Sequence, residues 1–354
     1  MNSFHRLFFH PFQRNLSLAY SFCVTIDEVN LIEVIYDFNM ETRNDDKRLK
    51  YTVVIGNGFD LDLGFNTRYS DFVESEEWKR MYEERSKVSK KNSLLHYLNG
   101  KRYIDEWFDV EQALYDYVSK RQDGTFVNNV KIDKKDYELV CKALTEYLNN
   151  HLKNNPHDLN ATNAGQFLNA LCNLYGTVSI DRRIYSFNYT PLDFYAQKLL
   201  TYNHIDVEFI HGKIENNSII LGIEVDDIAQ IAPGYSFLIK SNNISYASSN
   251  LPADLLNSQE VVFYGHSMNS IDLGYFEDYF HQMEVNSDET KQISIITYDD
   301  DSKRAFFDSL RKNHIDVRKL FTHTAINVIR TKRVKENENS EDSRAFQNLL
   351  KRLK

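Results

Sequence analysis

The sequence contains few cysteines and prolines, and each shortage excludes a class of protein. Of its 354 residues, three are cysteine and five are proline. Because Cys23, Cys141 and Cys172 lie far apart in the chain, they form neither a disulfide framework nor a zinc site. No metal is therefore predicted, and a reducing cytoplasm is the expected location. With so few prolines and no repeat of fixed period, the sequence also marks no interdomain linker.

Long apolar runs and an excess of positive charge are also missing. The apolar run from Leu16 to Ile26 is too short to span a bilayer and no small-residue cleavage site follows it, so no membrane association is predicted. The formal net charge of -9 argues against binding of nucleic acid by broad neutralisation of its phosphates. A hydrophobic content of 42%, with 13% aromatic residues, instead provides a sizeable core and excludes disorder throughout the chain.

The chain is predicted to form one large domain, residues 51–330, with an extension at each end. Residues 1–50 are the N-terminal extension. Met40 opens a polar stretch that leads into the first strand, so two interpretations stand: the protein starts at Met40, or residues 1–39 form a short element that packs on the domain. Residues 331–354 are predicted to be a charged, solvated tail that ends in a short helix.

Short apolar runs that alternate with helical patterns predict an α/β fold with a Rossmann-like parallel sheet, which binds ligands at the carboxyl ends of its strands. The predicted strands are Tyr51–Ile55, Ile184–Phe187, Val207–Ile210, Glu260–Tyr264 and Ile293–Thr297. Residues 70–180 are predicted to form a large helical insertion after the first strand. Its predicted helices are Tyr69–Arg85, Ile104–Arg121, Lys134–Leu152 and Ala164–Tyr175.

A glycine-rich segment, Gly56-Asn57-Gly58-Phe59-Asp60, follows the first strand. Glycines at such a turn allow backbone amides to approach a pyrophosphate, although a plain strand-to-helix turn is the alternative. A dehydrogenase fingerprint needs a third glycine where Leu61 stands, so hydride transfer is disfavoured. A later glycine, Gly64, is present. We expect the Phe59 ring to lie along a ribose or nicotinamide and the Asp60 carboxylate to accept a hydrogen bond from a hydroxyl.

Two polar residues follow the second and third predicted strands. Asn188 suits a sugar hydroxyl or an attacking water, or it caps the helix that begins near Pro191. His211, followed by Gly212, is the candidate general base, because histidine titrates near neutral pH; a structural histidine is the alternative. Residues 219–222 are expected to form a further strand that ends in glycine.

The segment after the fourth predicted strand begins Gly265-His266-Ser267. Gly265 and Ser267 can bind a phosphate or an adenosine ribose, or they belong to an ordinary serine-rich helix entry. His266 is a reserve candidate for the base.

A carboxylate also lies on an apolar helical face, because Trp107, Glu111, Leu114 and Val118 share one side of a predicted helix. A charge in such a place needs a partner. Glu111 therefore pairs with an arginine or points into the site.

These strand ends together resemble the sirtuin superfamily of NAD-binding proteins. The matching features are the spacing of Gly56, Gly58 and Gly64, the asparagine Asn188, the pair His211-Gly212 and the late Gly265-His266-Ser267. Two Cys-x-x-Cys pairs found in zinc-dependent sirtuin deacylases are missing, so protein deacetylation is not expected. Asp60 also replaces the sirtuin serine, and Thr67-Arg68 replaces Asp-Phe, which predicts a different nicotinamide pocket.

The bacteriophage abortive-infection family AbiH is a tighter resemblance, over about residues 51–280. It includes Ile55–Asp60, Leu63-Gly64, Thr67, Tyr69, Trp107–Glu111, His211-Gly212, Leu221-Gly222, Gly265, Ser267 and Asp272. The two resemblances imply a sirtuin-type Rossmann-like fold that holds NAD or a related nucleotide. The residues then expected to bind it are Gly56, Asn57, Gly58, Phe59, Asp60, Gly64, Thr67, Gly212, Gly222, Gly265, Ser267 and Asp272.

The resemblance implies an antiphage protein that hydrolyses the nicotinamide–ribose bond of NAD once it is activated. Asn188 would immobilise the ribose and His211 would take the proton, whereas Gly56, Gly58 and Ser267 would hold the pyrophosphate. Two alternatives stand beside this NADase: a sensor that binds NAD or ADP-ribose without turnover, and an ADP-ribosyltransferase. An uncontrolled NADase would kill its host, so a homo-oligomer or a phage-derived activator is the expected restraint.

Overall fold

A computed structural model describes most of the chain that follows the N-terminal extension. The described residues are 50–88, 92–102, 109–119, 129–153, 158–172, 182–192, 195, 206–216, 218–225, 227–246 and 248–353. The two interpretations of residues 1–39 fall outside this part of the chain, as does Trp107. None of the described helices is long and apolar enough to cross a membrane.

A six-stranded sheet forms the centre of the fold, and all of its strands are parallel. The strands are β1 (Tyr51–Ile55), β2 (Arg182–Ser186), β3 (Glu208–Phe209), β4 (Glu260–Tyr264), β5 (Gln292–Thr297) and β6 (Ala325–Arg330). Their spatial order is β3-β2-β1-β4-β5-β6, the order of a dinucleotide-binding Rossmann sheet. The predicted α/β class and its five strands are confirmed. The sequence analysis missed β6, a half-exposed edge strand in which polar and apolar residues mix.

Helices cover both faces of this sheet and fill the long connection after β1. They are α1 (Asn57–Asp62), α2 (Tyr69–Glu74), α3 (Glu76–Ser86), α4 (Leu94–Lys101), α5 (Val110–Ser119), α6 (Val130–Lys153), α7 (Asn163–Cys172), α8 (Leu251–Asn257), α9 (Glu277–Met283), α10 (Asp300–Lys312), α11 (Val317–His323), α12 (Thr331–Glu336) and α13 (Glu341–Leu353). The predicted helical insertion is therefore confirmed.

Two local predictions are corrected. The helix predicted over residues 69–85 breaks at Ser75, whose hydroxyl accepts a hydrogen bond from the Trp78 amide at 3.2 Å and so caps a second helix. Residues 219–222 form no strand: the chain there is extended, and the next residue, Ile223, makes only an isolated bridge to Ile239. An apolar run of four residues does not distinguish a strand from a buried loop.

Alternate side chains of the strands enter two different cores. Val53 and Ile55 of β1 pack on the side of α7 and α13, whereas Val54 packs on the side of α8, α9 and α10. A third core lies in the insertion, where α2 to α6 pack together. The loop over residues 219–239 contributes to that third core, so the insertion and this loop are packed as one body.

The C-terminal segment is not the solvated tail that its composition predicts. It does end in a helix, α13, but one face of this helix is buried against the sheet and α7. The buried residues on that face include Phe346, Leu349, Leu350 and Leu353. Arg352 donates to both carboxylate oxygens of Glu260 in β4, at 3.1 and 2.8 Å. The abundance of charge on the exposed side concealed the apolar face in the sequence.

Substitution of Phe346 by alanine is expected to lower the free energy of unfolding by ~3–5 kcal/mol, because a fully buried ring would leave a cavity under the sheet. Gln347→Ala, at the neighbouring exposed position, is the matched control and should change stability by under ~0.5 kcal/mol. Chemical denaturation of both variants measures the difference. Equal small effects would mean that α13 does not belong to the core.

Candidate functional site

The carboxyl ends of four neighbouring strands bring the predicted site residues to one edge of the sheet. Gly56 follows β1, Asn188 comes after β2, His211 after β3, and Gly265 follows β4. The strand order reverses between β1 and β4, and such a reversal opens the crevice where parallel sheets bind ligands. The candidate site is therefore this edge.

The glycine loop packs directly against the segment after β4. A Cβ on Gly56 would lie 2.6 Å from the His266 Cα, and one on Gly58 would lie 2.7 Å from the Gly265 Cα. The Gly56 amide donates to the Tyr264 carbonyl and the Gly58 amide to the Gly265 carbonyl, both at 2.9 Å. These amides are engaged inside the protein. Both glycines therefore allow two backbone segments to pack closely, and their amides are not free to bind the predicted pyrophosphate.

Gly58→Ala is expected to destabilise the protein by at least ~1–3 kcal/mol, because two backbone segments would have to separate to admit one methyl group. Gly100→Ala is the matched control. Gly100 lies in α4 with no atom within 4 Å of its added Cβ, so alanine should be neutral or stabilise by up to ~1 kcal/mol. The melting temperatures of the two variants measure the difference. An equal change in both would contradict the packing role of Gly58.

Three further glycines also have local structural causes. Gly64 has φ 92° just beyond the end of α1, and its amide donates to the Leu61 carbonyl. Gly212 has φ 71°, and a Cβ there would collide with the Ser218 carbonyl. A Cβ on Gly222 would collide with the Leu238 carbonyl. Backbone geometry therefore accounts for these glycines without a nucleotide.

Phe59 and Asp60 are both buried. The Phe59 ring is fully buried and makes edge contacts with Phe167 and Tyr264, so it belongs to the core. Asp60 accepts a hydrogen bond from the Thr190 hydroxyl at 2.6 Å. Burial raises the pKa of this carboxyl to about 7, although hydrogen bonds from Thr190 and Asn188 oppose the rise. Asp60 is thus an acid that titrates near neutral pH.

The buried Asp60 carboxyl predicts a pH dependence of stability. Because its pKa is raised to about 7 in the folded state, the folded protein retains a proton between about pH 4 and 7 that the unfolded chain has lost. Its contribution to stability is present at low pH and declines by up to ~1.4 kcal/mol per pH unit as pH rises through this window. Asp60→Asn should remove that decline in denaturation curves recorded from pH 4 to 7. Parallel slopes for the two proteins would refute the assignment.

Asn188 holds the glycine loop, and the helix predicted to begin near Pro191 lies mostly outside the described residues. Its side-chain amide donates to the Gly56 carbonyl at 3.0 Å, and its backbone amide donates to the Ser186 hydroxyl at 3.2 Å. Within the described residues it makes no hydrogen bond to a helix amide. Asn188 is 7% exposed, so it connects β2 with the loop after β1 at the inner wall of the site.

His211 and Asp272 form a buried pair. The Nε2 atom of His211 lies 2.9 Å from Asp272 Oδ1, and the two residues are 4% and 7% exposed. Because a carboxylate accepts hydrogen bonds, we assign the proton to Nε2, which leaves the lone pair on Nδ1. Nδ1 is buried and has no hydrogen-bond partner among the described residues. Asp272, predicted to bind a cofactor, is instead the partner that orients the predicted base.

Lys240 joins this pair to the helical insertion. Its ammonium nitrogen lies 3.1 Å from Glu111 Oε2, 3.2 Å from His211 Nε2 and 3.4 Å from Asp272 Oδ1. Glu111 also accepts a hydrogen bond from the Gly222 amide at 3.3 Å. Both alternatives for Glu111 are thus partly met: it forms an ion pair, with a lysine and not an arginine, and it reaches the site.

The charges of this cluster shift one another's pKa values. Burial lowers the pKa of His211, and the Lys240 charge lowers it further, against the opposing effect of Asp272. Burial raises the pKa of Glu111 to about 7, with Lys240 opposing the rise. For Asp272, burial acts to raise the pKa, but Lys240 and His211 outweigh it and hold the pKa well below its usual range. His211 is accordingly a neutral imidazole at pH 7.

The sequence analysis missed Lys240. The residue follows the apolar run Phe237-Leu238-Ile239, and its side chain is 1% exposed. A lysine directly after an apolar run is a weak signal of burial, because lysine is seldom buried without a partner. Its partner Glu111 is 129 positions away in the chain, so only the folded structure connects the two.

His266 is less suited than His211 to act as a base. Its Nδ1 accepts a hydrogen bond from the Met268 amide at 3.1 Å, and its Nε2 lies 3.9 Å from Asp272 Oδ2. Burial lowers the pKa of His266 to about 4, with the Asp272 charge opposing the decrease. The Phe187 ring contacts both imidazoles, with centroid distances of 5.2 Å to His211 and 4.6 Å to His266.

The remaining predicted residues lie on the outer side of the glycine contact. Asn57 and Ser267 are exposed, each within two positions of the place where Gly58 meets Gly265. The Thr67 hydroxyl donates to Asn57 Oδ1 at 2.5 Å. Asn57 and Ser267 are therefore accessible to solvent beside the glycine loop.

The family model described as bacteriophage abortive infection AbiH matches residues 52–293. This range extends from β1 to the start of β5, and it includes the glycine loop and the four-residue cluster of Glu111, His211, Lys240 and Asp272. A search of curated proteins finds no match.

Proposed function

Because the chain belongs to the AbiH family, whose function is bacteriophage abortive infection, we propose that it acts by binding NAD or a related nucleotide and cleaving the nicotinamide–ribose bond. The observation that carries the proposal is the Nδ1 atom of His211, which has no hydrogen-bond partner among the described residues and is held in place by Asp272 at the carboxyl edge of the sheet. A neutral imidazole oriented by a carboxylate is a general base. The Rossmann-type strand order, with the candidate site at the edge where such sheets bind dinucleotides, supports NAD as the nucleotide.

The proposed reaction is hydrolysis. A water oxygen forms a bond to the C1 carbon of the nicotinamide ribose as the bond from that carbon to the nicotinamide nitrogen breaks, through a transition state with oxocarbenium character. The electron pair of the broken bond neutralises the pyridinium ring, so nicotinamide leaves without an acid. His211 Nδ1 takes the proton of the water. The products are ADP-ribose, nicotinamide and one proton.

Two groups of residues would hold the substrate in this proposal. Asn188 and Asp60, on the inner wall, would face the ribose beside His211. Asn57 and Ser267, with the Thr67 hydroxyl, would face the phosphates, since the amides of the two loop glycines already donate within the protein. Asp60, Asn188 and His211 are all less than 9% exposed, so substrate entry requires the site to open.

Opening of the buried site would also be the point of control. A hydrolase that depletes NAD kills its host, so we propose that the enzyme is restrained until infection, by assembly into a homo-oligomer or by a phage-derived activator. The burial of His211 and Asp272 supports a resting state of this kind.

The test is a nicotinamide-release assay. Purified protein is mixed with NAD, with and without lysate of phage-infected cells, and nicotinamide and ADP-ribose are quantified by chromatography. Equal amounts of the two products are expected. Binding of NAD without any release, even with lysate, would favour a sensor, and label from NAD on protein or nucleic acid would favour an ADP-ribosyltransferase. Neither binding nor release would refute the proposal.

A further inference from the structure

The candidate base His211 has an unusual neighbour, because Lys240 is a buried lysine that competes with the imidazole for protons. Lys240 lies 3.2 Å from the nitrogen of His211 that faces Asp272, and its side chain is 1% exposed. Burial of an ammonium group is costly unless it is paired, and Glu111 and Asp272 provide the pairing. The position of Lys240 therefore needs an explanation beyond a surface ion pair.

The geometry limits how protons are distributed around His211 Nε2. If Nε2 were unprotonated, it would accept from Lys240, but its lone pair would then face Asp272 Oδ1 at 2.9 Å with no proton between them. If Nε2 carries the proton, that contact is a charge-assisted hydrogen bond. Lys240 then directs its protons to Glu111 and Asp272. The second arrangement makes the shortest contact of the cluster a hydrogen bond, and it leaves the longer Lys240–Nε2 contact at 3.2 Å as one between two donors.

We propose that Lys240 is a positioning residue which keeps the His211 imidazole neutral, with its proton on Nε2 and its lone pair on Nδ1, and that Glu111 holds Lys240 in this place. The proposal rests on the proposed role of His211 as a base. Asp272 by itself would favour the imidazolium form, which cannot accept a proton. The lysine charge offsets that effect, so that the carboxylate orients the ring without charging it.

The neighbouring groups agree with this division of roles. Among the described residues, the charges of Lys240 and Asp272 act on His211, and His211 in turn acts on His266. Asp109 and Glu111 of the α5 region interact with Lys240 and Asp272. Glu111 is the one that bonds both Lys240 and the Gly222 amide. Through it, the helical insertion fixes the position of the lysine beside the base.

The experiment is a titration of histidine signals by NMR on protein labelled with ¹⁵N-histidine, which needs no turnover of NAD. The His211 signal is identified by its loss in His211→Gln. In the wild type, we expect the Nε2–H tautomer and an imidazole that stays neutral below its ordinary pKa. In Lys240→Met, the pKa of His211 should rise by about one pH unit or more, since Asp272 is unopposed. In Glu111→Gln, the pKa of His211 should not rise, because the glutamine amide oxygen can still accept from Lys240 and the lysine charge therefore remains beside the imidazole.

The opposite outcomes of the two variants separate this role from a purely structural one, which would make both variants behave alike. Lys213→Met is the control, because Lys213 is two positions from His211 and pairs with Glu215, outside the cluster. If Lys240→Met does not fold, Glu111→Gln/Lys240→Met replaces it, and the pKa of His211 should again rise. An unchanged His211 titration in the folded lysine variant, or an Nδ1–H tautomer in the wild type, would overturn the inference. Failure of NAD cleavage with the expected titrations would refute only the proposed function.

Discussion

Replacement of His211 by alanine should lower the rate of nicotinamide release by about 10²- to 10⁴-fold, because the variant lacks the group that takes the proton of the attacking water. NAD binding should be less affected, since His211 acts on the water and not on the phosphates. The measurement is the release rate at saturating NAD, under whichever condition activates the wild type. Thermal melting must show that the variant remains folded.

Two further variants complete this test. His281→Ala is the matched control, because His281 is 43% exposed on α9 and does not belong to the cluster. Its activity should equal that of the wild type. Asp272→Asn should also lose most of the activity, because the asparagine amide can donate to Nε2 and so leave the proton on Nδ1, the wrong nitrogen for a base. Full activity in either His211→Ala or Asp272→Asn would refute the role of the pair as the catalytic base.

Removal of Lys240 alone should strongly destabilise the fold. Lys240→Met is expected to lower the free energy of unfolding at pH 7 by ~3–5 kcal/mol, because Glu111 would lose its partner and would have to take up a proton to remain buried. The double variant Glu111→Gln/Lys240→Met should recover most of that loss, since both buried charges are absent. Urea denaturation of the wild type, the two single variants and the double variant measures the coupling.

The pH dependence of the destabilisation in Lys240→Met provides a second test. The pKa of Glu111 is raised to about 7 by burial even with Lys240 opposing, so without the lysine the carboxyl takes a proton still more readily. The destabilisation of Lys240→Met should therefore be smaller at pH 5 than at pH 7. If the effects of the two single substitutions on the free energy of unfolding simply add in the double variant, the Glu111–Lys240 pair does not stabilise the fold in this way. The same holds if the destabilisation of Lys240→Met does not depend on pH.

The architecture could be predicted from the sequence because it depends on local patterns. Apolar runs such as those at Tyr51–Ile55 and Glu260–Tyr264 are buried strands in the structure with the same boundaries. The strand ends were also predictable, because a polar residue directly after a buried strand must lie at the edge of the sheet. Asn188 and His211 were found in this way.

The sequence misled the predictions where one type of residue can serve two purposes. Glycines near a strand end bind phosphates in some folds, but here the backbone of Gly265 and His266, 207 and 210 positions further along the chain, packs against Gly58 and Gly56. Phe59 fits a nucleotide contact by type, whereas its ring completes the core beside Phe167. In α13 the charged face dominates the composition, and only docking on the sheet reveals its apolar face.

The sequence by itself thus determined the alternation of strands and helices along the chain and the AbiH resemblance, since both depend on short segments and their order in the chain. The tertiary structure alone decided which side chains meet. Asp272 faces His211 from 61 positions away, and Glu111 meets Lys240 across 129. The physical reason is that a buried charge is stable only beside its partner, and packing of the insertion against the sheet edge selects that partner.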